Sequence, residues 1–211
     1  RGADAHEEGN YSFTRWVGGN RYPQGYTYEV LGTIFSDNFS GRTTVNPPGV
    51  TNYWTSHQAS NTWTVASGII TGPTASGWRR TLLTNKLYKN VNVLVKIKKI
   101  GNQQVVLRAS TDSNFPGYGF QLRTGEFRLE RPGLAQLATT AKSFVENDWY
   151  WVRAEASGST IRGKVWADGA AEPGSWDISI TDTTYPSHGA VGLSGESNNG
   201  QFDSLTVTPA I

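Results

Sequence analysis

The amino-acid sequence predicts an all-β protein that folds as an antiparallel β-sandwich, and three observations lead to this fold class. Short segments with alternating apolar side chains recur at the spacing typical of sandwich strands, roughly every ten residues. No amphipathic helical segment interrupts them. The 24 glycines and eight tryptophans, together with many Val, Thr and Tyr residues, favour strands and turns over helices.

Turn residues between the apolar segments predict three hairpins. A longer alternating strand is predicted at residues 91–98, followed by another at 105–109. The predicted hairpins pair residues 63–65 with 69–71 around Ser67-Gly68, residues 118–123 with 126–130 around Thr124-Gly125, and residues 149–156 with 160–166 around Ser157-Gly158-Ser159.

The patterned region begins and ends with short strands of matching character. Residues 34–40 form an aromatic strand that carries Asp37, and residues 202–207 form the last strand, which carries Asp203. A glycine-rich region separates this last strand from a preceding one at 189–195. We therefore expect a sandwich whose first and last strands meet.

Residues 1–33 differ from the rest and predict an aromatic-rich N-terminal arm in front of a sandwich domain at 34–211. The arm is too short to form a core of its own. It is expected to pack on the sandwich, on a neighbouring subunit or on an upstream domain. Because the chain starts at Arg1 and contains no methionine, we expect a processed or excised segment of a longer protein.

Charge and composition exclude several classes of function. The chain has 19 basic and 17 acidic residues, and its densest basic run, 96–99, alternates with an apolar residue as the solvated face of a strand does. Nucleic acid is therefore excluded as the main partner. Because the chain has no cysteine, disulfides and thiolate metal sites cannot contribute. No apolar run reaches the roughly 18 residues that span a bilayer, so membrane insertion is not expected.

A series of short motifs follows in a fixed order: Asp37-Asn38-Phe39, then residues 63–68, 106–110, 117–120, 147–150, 164–169, 172–176, 189–193 and 202–205. In this order the motifs resemble the concanavalin A-like, laminin-G-like jelly-roll domain of the bacterial and phage type, over about residues 34–211. The resemblance implies two curved antiparallel sheets, one of them concave, and a frequent role in binding glycans. Hydrolases and structural modules share this fold, so the fold does not decide the function.

The sequence contains little evidence for a catalytic site. Glu126 and Glu130 share a strand face, but Arg128 lies between them and is expected to lower the pKa of both carboxyls rather than prepare a general acid. No nucleophile elbow is present, so no serine stands out as a nucleophile. The chain is therefore predicted not to be an enzyme. The three histidines lack metal or triad spacing: His6, His57 and His188.

A structural calcium ion is a candidate cofactor. Calcium prefers carboxylate and carbonyl oxygens. If the terminal strands pair, as the resemblance implies, Asp37 and Asp203 would approach one another and share an ion with Asn38 and backbone carbonyls. The alternative is that both aspartates are ordinary solvent-facing strand residues.

A polar face that carries tryptophans is the main candidate for glycan binding. Sugar rings pack on indole rings, while their hydroxyls pair with arginine or with acids. Alternation places Arg162, Lys164 and Trp166 on one face of their strand, and Trp151 and Arg153 on one face of the neighbouring strand.

Three more residues extend this candidate site. Arg108 is expected to join the same sheet surface, and Tyr118 and Trp78 are expected at its rim. Alternatively, Arg108 is a structural partner of an acid such as Glu155 or Glu130. Three other tryptophans are expected in the sandwich core instead: Trp63, Trp149 and Trp176.

Together these observations predict a non-enzymatic carbohydrate- or receptor-binding domain on an extracellular or virion surface, such as a phage tail fibre. Its partner would be a cell-surface polysaccharide, and trimer formation or docking to an upstream domain through residues 1–33 would multiply weak sites. Two alternatives stay open. One is a structural or decoration module of such an assembly, and the other is a polysaccharide-degrading enzyme with an atypical site at Glu126, Glu130 and Glu155.

Overall fold

The computed structural model describes residues 16–17, 20–21, 35–43, 45, 54–57, 63–74, 77–110, 116–196 and 199–210. These residues contain seventeen strands and no helix, so none of them forms an apolar helix that could cross a membrane. Most of the predicted N-terminal arm lies outside the described residues. The part that is described contains the strand pair β1 and β2.

The strands are short and antiparallel, as the alternation of apolar residues predicts. In chain order they are β1 (Trp16–Val17), β2 (Asn20–Arg21), β3 (Phe35–Asp37), β4 (Trp54–His57), β5 (Thr64–Ala66), β6 (Ile69–Thr71), β7 (Trp78–Tyr88), β8 (Val91–Lys98), β9 (Gln103–Ala109), β10 (Tyr118–Arg123), β11 (Glu126–Arg131), β12 (Ala135–Ala141), β13 (Trp149–Ser157), β14 (Thr160–Ala167), β15 (Ile178–Thr181), β16 (Gly189–Glu196) and β17 (Gln201–Thr208).

Two large sheets make up the sandwich, and the predicted fold class is confirmed. The seven-stranded sheet has the order β12-β11-β10-β9-β16-β7-β4. The eight-stranded sheet has the order β15-β14-β13-β8-β17-β6-β5, and β3 also pairs with β17. The three predicted hairpins are present as the pairs β5-β6, β10-β11 and β13-β14.

The first predicted strand and the last strand meet, as expected. Leu205 of β17 lies opposite Asp37 of β3 in the register of this pair. However, β17 is an internal strand, because β8 pairs with its other side. The preceding strand β16 belongs to the other sheet, so the chain between β16 and β17 passes from one layer to the other.

Alternation along each strand builds the core between the sheets. In β8, Val91, Val93, Val95 and Ile97 are fully buried, and the other sheet contributes residues such as Leu107. Three further side chains show that large aromatics fill this space: Trp63, Phe120 and Phe127. Burial of this apolar surface is the main stabilising contribution to such a fold.

One contact between the layers is especially close. A Cβ atom added to Gly163 of β14 would lie 2.3 Å from Cε1 of Phe120 in β10. The Phe120 ring therefore rests directly on the backbone of the opposite sheet, in a space that only glycine leaves open.

We expect Gly163→Ala to lower the free energy of unfolding by about 1–3 kcal/mol, because the added methyl group overpacks the core. Chemical denaturation monitored by tryptophan fluorescence measures this change. Gly174→Ala is the matched control, since a Cβ there meets no atom within 4 Å. Equal stability of the two variants would show that the Phe120 contact does not constrain the sandwich.

Candidate functional site

The outer face of the eight-stranded sheet gathers several of the predicted ligand residues. Register pairs Trp151 with Trp166, Arg153 with Lys164, and Glu155 with Arg162 across β13 and β14. On the other side of β13, Lys96 of β8 lies opposite Trp151. The predicted face therefore exists as a continuous surface over these three strands.

The loop at 168–177, between β14 and β15, covers one half of this face. Glu172 binds Arg153 through two hydrogen bonds of 2.6 and 3.0 Å, and its carboxylate lies 2.8 Å from Nζ of Lys164. Lys164 also donates to the carbonyl of Pro173 at 2.6 Å. The cationic groups of Arg153 and Lys164 are thus neutralised within the protein.

Arg162 is held in a similar way. Its Nη2 atom lies 2.6 Å from the buried carboxylate of Glu155, which also accepts a 2.7 Å hydrogen bond from Asn92. The guanidinium stacks 4.5 Å from the ring centroid of Trp176. The expectation that Trp176 belongs to the core is therefore wrong, because its ring lies over the outer face of the sheet.

The other half of the face forms a cluster of aromatic and basic side chains. We call it the tryptophan–lysine cluster: Trp149, Trp151, Trp166, Lys96 and Lys98. Nζ of Lys96 lies 5.5 Å from the Trp149 centroid and 5.8 Å from the Trp151 centroid, and Nζ of Lys98 lies 5.8 Å from Trp149. Trp149 was expected in the core and is half-buried on the outer face instead, because it shares the strand face of Trp151.

Two carboxylates border this cluster. Asp168 accepts a 2.8 Å hydrogen bond from Nε1 of Trp151, and its other oxygen lies 2.8 Å from Nζ of Lys96. Asp203 lies 4.0 Å from the same ammonium group. The hydrogen bond from Lys96 holds the pKa of Asp168 below its usual range, and a second one from Trp151 acts in the same direction. Half-exposed indoles thus lie beside fixed donors and acceptors.

Arg108 does not join this surface. It lies in β9 of the seven-stranded sheet and is 3% exposed. Its guanidinium donates to three backbone carbonyls, those of Lys89 at 2.7 Å, Tyr185 at 2.9 Å and Gly158 at 2.7 Å. The expected ligand contact is therefore wrong for Arg108, and its partners are carbonyls rather than the acid that we considered as an alternative.

Tyr118 and Trp78 also lie in the seven-stranded sheet. Tyr118 is fully buried; its hydroxyl donates to Asp182 at 2.6 Å and accepts from the backbone N–H of Tyr185 at 3.1 Å. Burial raises the pKa of Tyr118 to about 12, so this phenol stays neutral. The expectation that Tyr118 forms a rim is wrong. Trp78 is half-buried and lies opposite Glu196, away from the tryptophan–lysine cluster.

The two candidate calcium ligands do not fit a calcium site. Asp37 is buried; it lies 2.6 Å from the guanidinium of Arg42 and accepts hydrogen bonds from Trp54 and from the backbone of Phe39. A cleft of about 390 Å³ beside it is lined by residues 36–38, which include Asn38, and by residues 204–206 of β17. A cation there would have to displace Arg42, and the described residues contain no group of three potential metal ligands.

The carboxylates considered for catalysis have different environments. Hydrogen bonds from Thr139 and from Arg128 lower the pKa of Glu126, whereas burial raises the pKa of Glu130. Arg128 acts to lower the pKa of both carboxyls, as expected, but at Glu130 burial outweighs the nearby guanidinium and the net shift is upward. Of the histidines, His188 is exposed, the His57 backbone lies in β4, and His6 is outside the described residues.

A second group of side chains was missed in the sequence. We call it the polar row, and it crosses the seven-stranded sheet in register: Arg80, Ser194, Gln104, Gln121 and Arg128. Gln121 points away from the core, since its strand neighbours Phe120 and Leu122 are core residues. The other members share this face, because residues opposite one another in an antiparallel register lie on the same side of the sheet. The signal was present as single polar residues within apolar strands, but only the register shows that they line up.

Comparison with known proteins finds similarity at the level of structure. No protein-family model matches the sequence, and no curated protein matches it. The carbohydrate binding module CBM66 from Bacillus subtilis is similar with a TM-score of 0.63 at 17% identity, covering 74% of this chain and 96% of that one.

Two further structures share the architecture. The exoplasmic/lumenal domain of VIP36 in its Ca2+/Man2-bound form has a TM-score of 0.62 at 13% identity over 83% of this chain and 88% of its own. A candidate glycosyl hydrolase from Parabacteroides distasonis has a TM-score of 0.51 at 14% identity, covering 71% of this chain and 83% of its own. At these identities the similarity shows the fold, and the predicted concanavalin A-like jelly roll is confirmed.

We expect Arg108→Lys to lower the free energy of unfolding by about 2–4 kcal/mol, because one ammonium cannot replace a buried guanidinium that donates to three backbone carbonyls. Arg123→Lys, at a half-exposed guanidinium, is the control and is expected to be nearly neutral. Thermal and urea unfolding provide the measurement. A stable Arg108→Lys protein that had lost glycan binding would instead restore Arg108 as a ligand residue.

Proposed function

We propose that this protein is a non-catalytic carbohydrate-binding domain and that the tryptophan–lysine cluster is its glycan site. The observation that carries the proposal is the arrangement of three half-buried indoles beside the Lys96–Asp168 ion pair on an open sheet face. Of the residues predicted for binding, Trp151 and Trp166 belong to this cluster. Three others contact the 168–177 loop: Arg153 and Lys164 pair with Glu172, and Arg162 stacks on Trp176.

The chemistry of the cluster suits a sugar. The C–H face of a pyranose or furanose ring packs on an indole, and its hydroxyl groups both donate and accept hydrogen bonds. Asp168 and Asp203 supply acceptors, and the ammonium groups of Lys96 and Lys98 supply donors. Because Lys96 already bridges the indoles and Asp168, these groups are held in place before a ligand arrives, which lowers the entropic cost of binding.

The structural neighbours support this class of ligand. CBM66 is described as a carbohydrate binding module, and VIP36 was captured with mannose-containing ligands. An enzymatic role is less well supported, because Glu126 is bound by Arg128 and Thr139 and Glu155 by Arg162 and Asn92. The candidate glycosyl hydrolase among the neighbours makes release of reducing ends from polysaccharide the direct test of that alternative.

We further propose that the ligand is a cell-surface polysaccharide and that this chain belongs to an extracellular or virion protein of the phage tail fibre type. Weak sites of this kind gain avidity from display in several copies, and a trimer formed through residues 1–33 would provide it. Light scattering on a chain that lacks residues 1–33 tests this step, since an unchanged oligomeric state would exclude it. If no glycan binds, a structural or decoration role in a surface assembly becomes the better reading.

We expect Trp166→Ala to weaken binding to a retained bacterial polysaccharide by at least about tenfold, because truncation of a central aromatic removes the stacking surface. Leu134→Ala is the control. This side chain is 64% exposed and lies in the β11–β12 turn of the seven-stranded sheet, whereas the cluster lies on the other sheet. Affinity electrophoresis or calorimetry measures the change. An unchanged affinity in a folded Trp166→Ala protein would remove the cluster as the glycan site.

The pH dependence of binding should follow Asp168. Because the pKa of Asp168 lies below its ordinary value, its ion pair with Lys96 is present above that ordinary value and is lost only as pH falls through the lowered pKa. We therefore expect affinity to be constant from about pH 7 to about pH 4 and to fall below that. Calorimetry across this range checks the profile, and a decline that begins near pH 6 would contradict it.

A further inference from the structure

Three members of the polar row on the seven-stranded sheet, Ser194, Gln104 and Gln121, combine burial with missing hydrogen-bond partners. Arg80, Ser194, Gln104 and Gln121 are each no more than 1% exposed. Both amide atoms of Gln104 and of Gln121, and the hydroxyl of Ser194, have no hydrogen-bond partner. Buried polar groups in proteins are nearly always paired, so five unpaired atoms on three adjacent strands need an explanation.

Stability does not explain the row. Leaving a buried donor or acceptor unpaired costs about 1–3 kcal/mol, whereas an apolar side chain of similar shape at the same position would cost nothing of this kind. The three residues are direct neighbours in the register, since Ser194 lies opposite Gln104 and Gln104 opposite Gln121. Unfavourable groups aligned in this way are typical of functional sites rather than of packing.

The surrounding backbone accommodates the row. Next to the row on the same face, two strand positions are occupied by glycine, Gly119 in β10 and Gly192 in β16. A Cβ on Gly119 would lie 2.2 Å from Oε1 of Gln104, and one on Gly192 would lie 2.5 Å from Cδ2 of Leu82. Gly119 therefore leaves the space in which the Gln104 amide lies along the sheet, so the position of this amide is built into two adjacent strands.

We infer that the polar row is a second ligand-binding site, separate from the tryptophan–lysine cluster, and that it takes a linear, polyhydroxylated ligand of the oligosaccharide type. A glutamine amide offers a donor and an acceptor together, and a sugar hydroxyl does the same, so the two satisfy each other. An apolar ligand would leave all five atoms unpaired, and an anion would satisfy only the donors.

The direction of the row defines the orientation of the ligand. Neighbouring strands lie about 4.8 Å apart, so the row extends about 14 Å from Ser194 to Arg128, perpendicular to the strands. A chain of sugar units laid across the strands can contact each row member in turn. The row's side chains are at most 1% exposed apart from Arg128, so we expect slower association here than at the half-exposed tryptophan–lysine cluster.

The central test combines stability and binding in the double variant Gln104→Leu/Gln121→Leu. Without ligand, its melting temperature is expected to equal or exceed that of the wild type, because four unpaired polar atoms are removed. Its affinity for the row's ligand is expected to fall at least tenfold. Gln136→Leu, at an exposed position of the edge strand β12, is the control and should change neither quantity.

The probe is a series of neutral linear glucan, mannan and fructan oligosaccharides, from the monosaccharide to the hexasaccharide, titrated by calorimetry into the full chain. All titrations are repeated in the Trp166→Ala background, which removes the first site. Binding that persists there, strengthens with chain length and disappears in the leucine variant supports the second site. No binding in that background, with binding in the wild type, overturns the second site and leaves the proposed function intact.

Two further results would overturn the inference. A double variant that melts at a markedly lower temperature would show that these amides have partners within the folded protein or in bound water. Ser194→Ala separates an effect on folding from an effect on binding, because it removes one hydroxyl with little change in volume. Unchanged oligosaccharide affinity in this variant would be the second result against the site. If extended peptides bind saturably and oligosaccharides do not, and if the leucine variant loses this peptide binding, the ligand of the row is a peptide and the inferred oligosaccharide is wrong.

Discussion

The stacking of two antiparallel sheets on one apolar core is the constraint on which every other feature of this protein depends. Because side chains alternate along a strand, each strand that contributes valine or leucine to the core presents its other residues to the outer face of its sheet. β13 shows this directly, with Val152 buried and Trp151 half-buried on the outside. The two outer faces are therefore where ligand chemistry can be placed without disturbing the core.

The two faces use their polar groups in different ways. On the eight-stranded sheet, cations and carboxylates pair with one another, as Arg153 and Glu172 do. Indoles among such pairs offer a preformed platform for a sugar ring. On the seven-stranded sheet, Gln104 and Gln121 are left without partners, so this face gives up stability for a capacity to bind.

The charged residues illustrate how burial changes a role. Arg108 and Arg153 are the same residue type in similar alternating strands. Yet the buried Arg108 donates to three backbone carbonyls, and Arg153 holds a loop over a sheet. Asp37, considered for calcium, is likewise bound by Arg42. In each case a complementary group of the same chain satisfies the charge, as expected for buried ions.

The sequence by itself determined the fold class and the three hairpins, because alternation and turn chemistry are local signals. The meeting of β3 with β17 was expected from the matching character of the terminal strands and from the family resemblance, and the structure confirms it. It also determined that Trp151, Arg153, Arg162, Lys164 and Trp166 share a face, since strand period and hairpin register follow from short range. Only the tertiary structure decided which sheet each strand joins. That assignment separated Arg108 and Tyr118 from this face and aligned Ser194 with Gln104, because pairing between strands distant in the chain depends on long-range packing that no local pattern encodes. The position of Trp149 on the outer face, by contrast, follows from alternation with Trp151 within one strand.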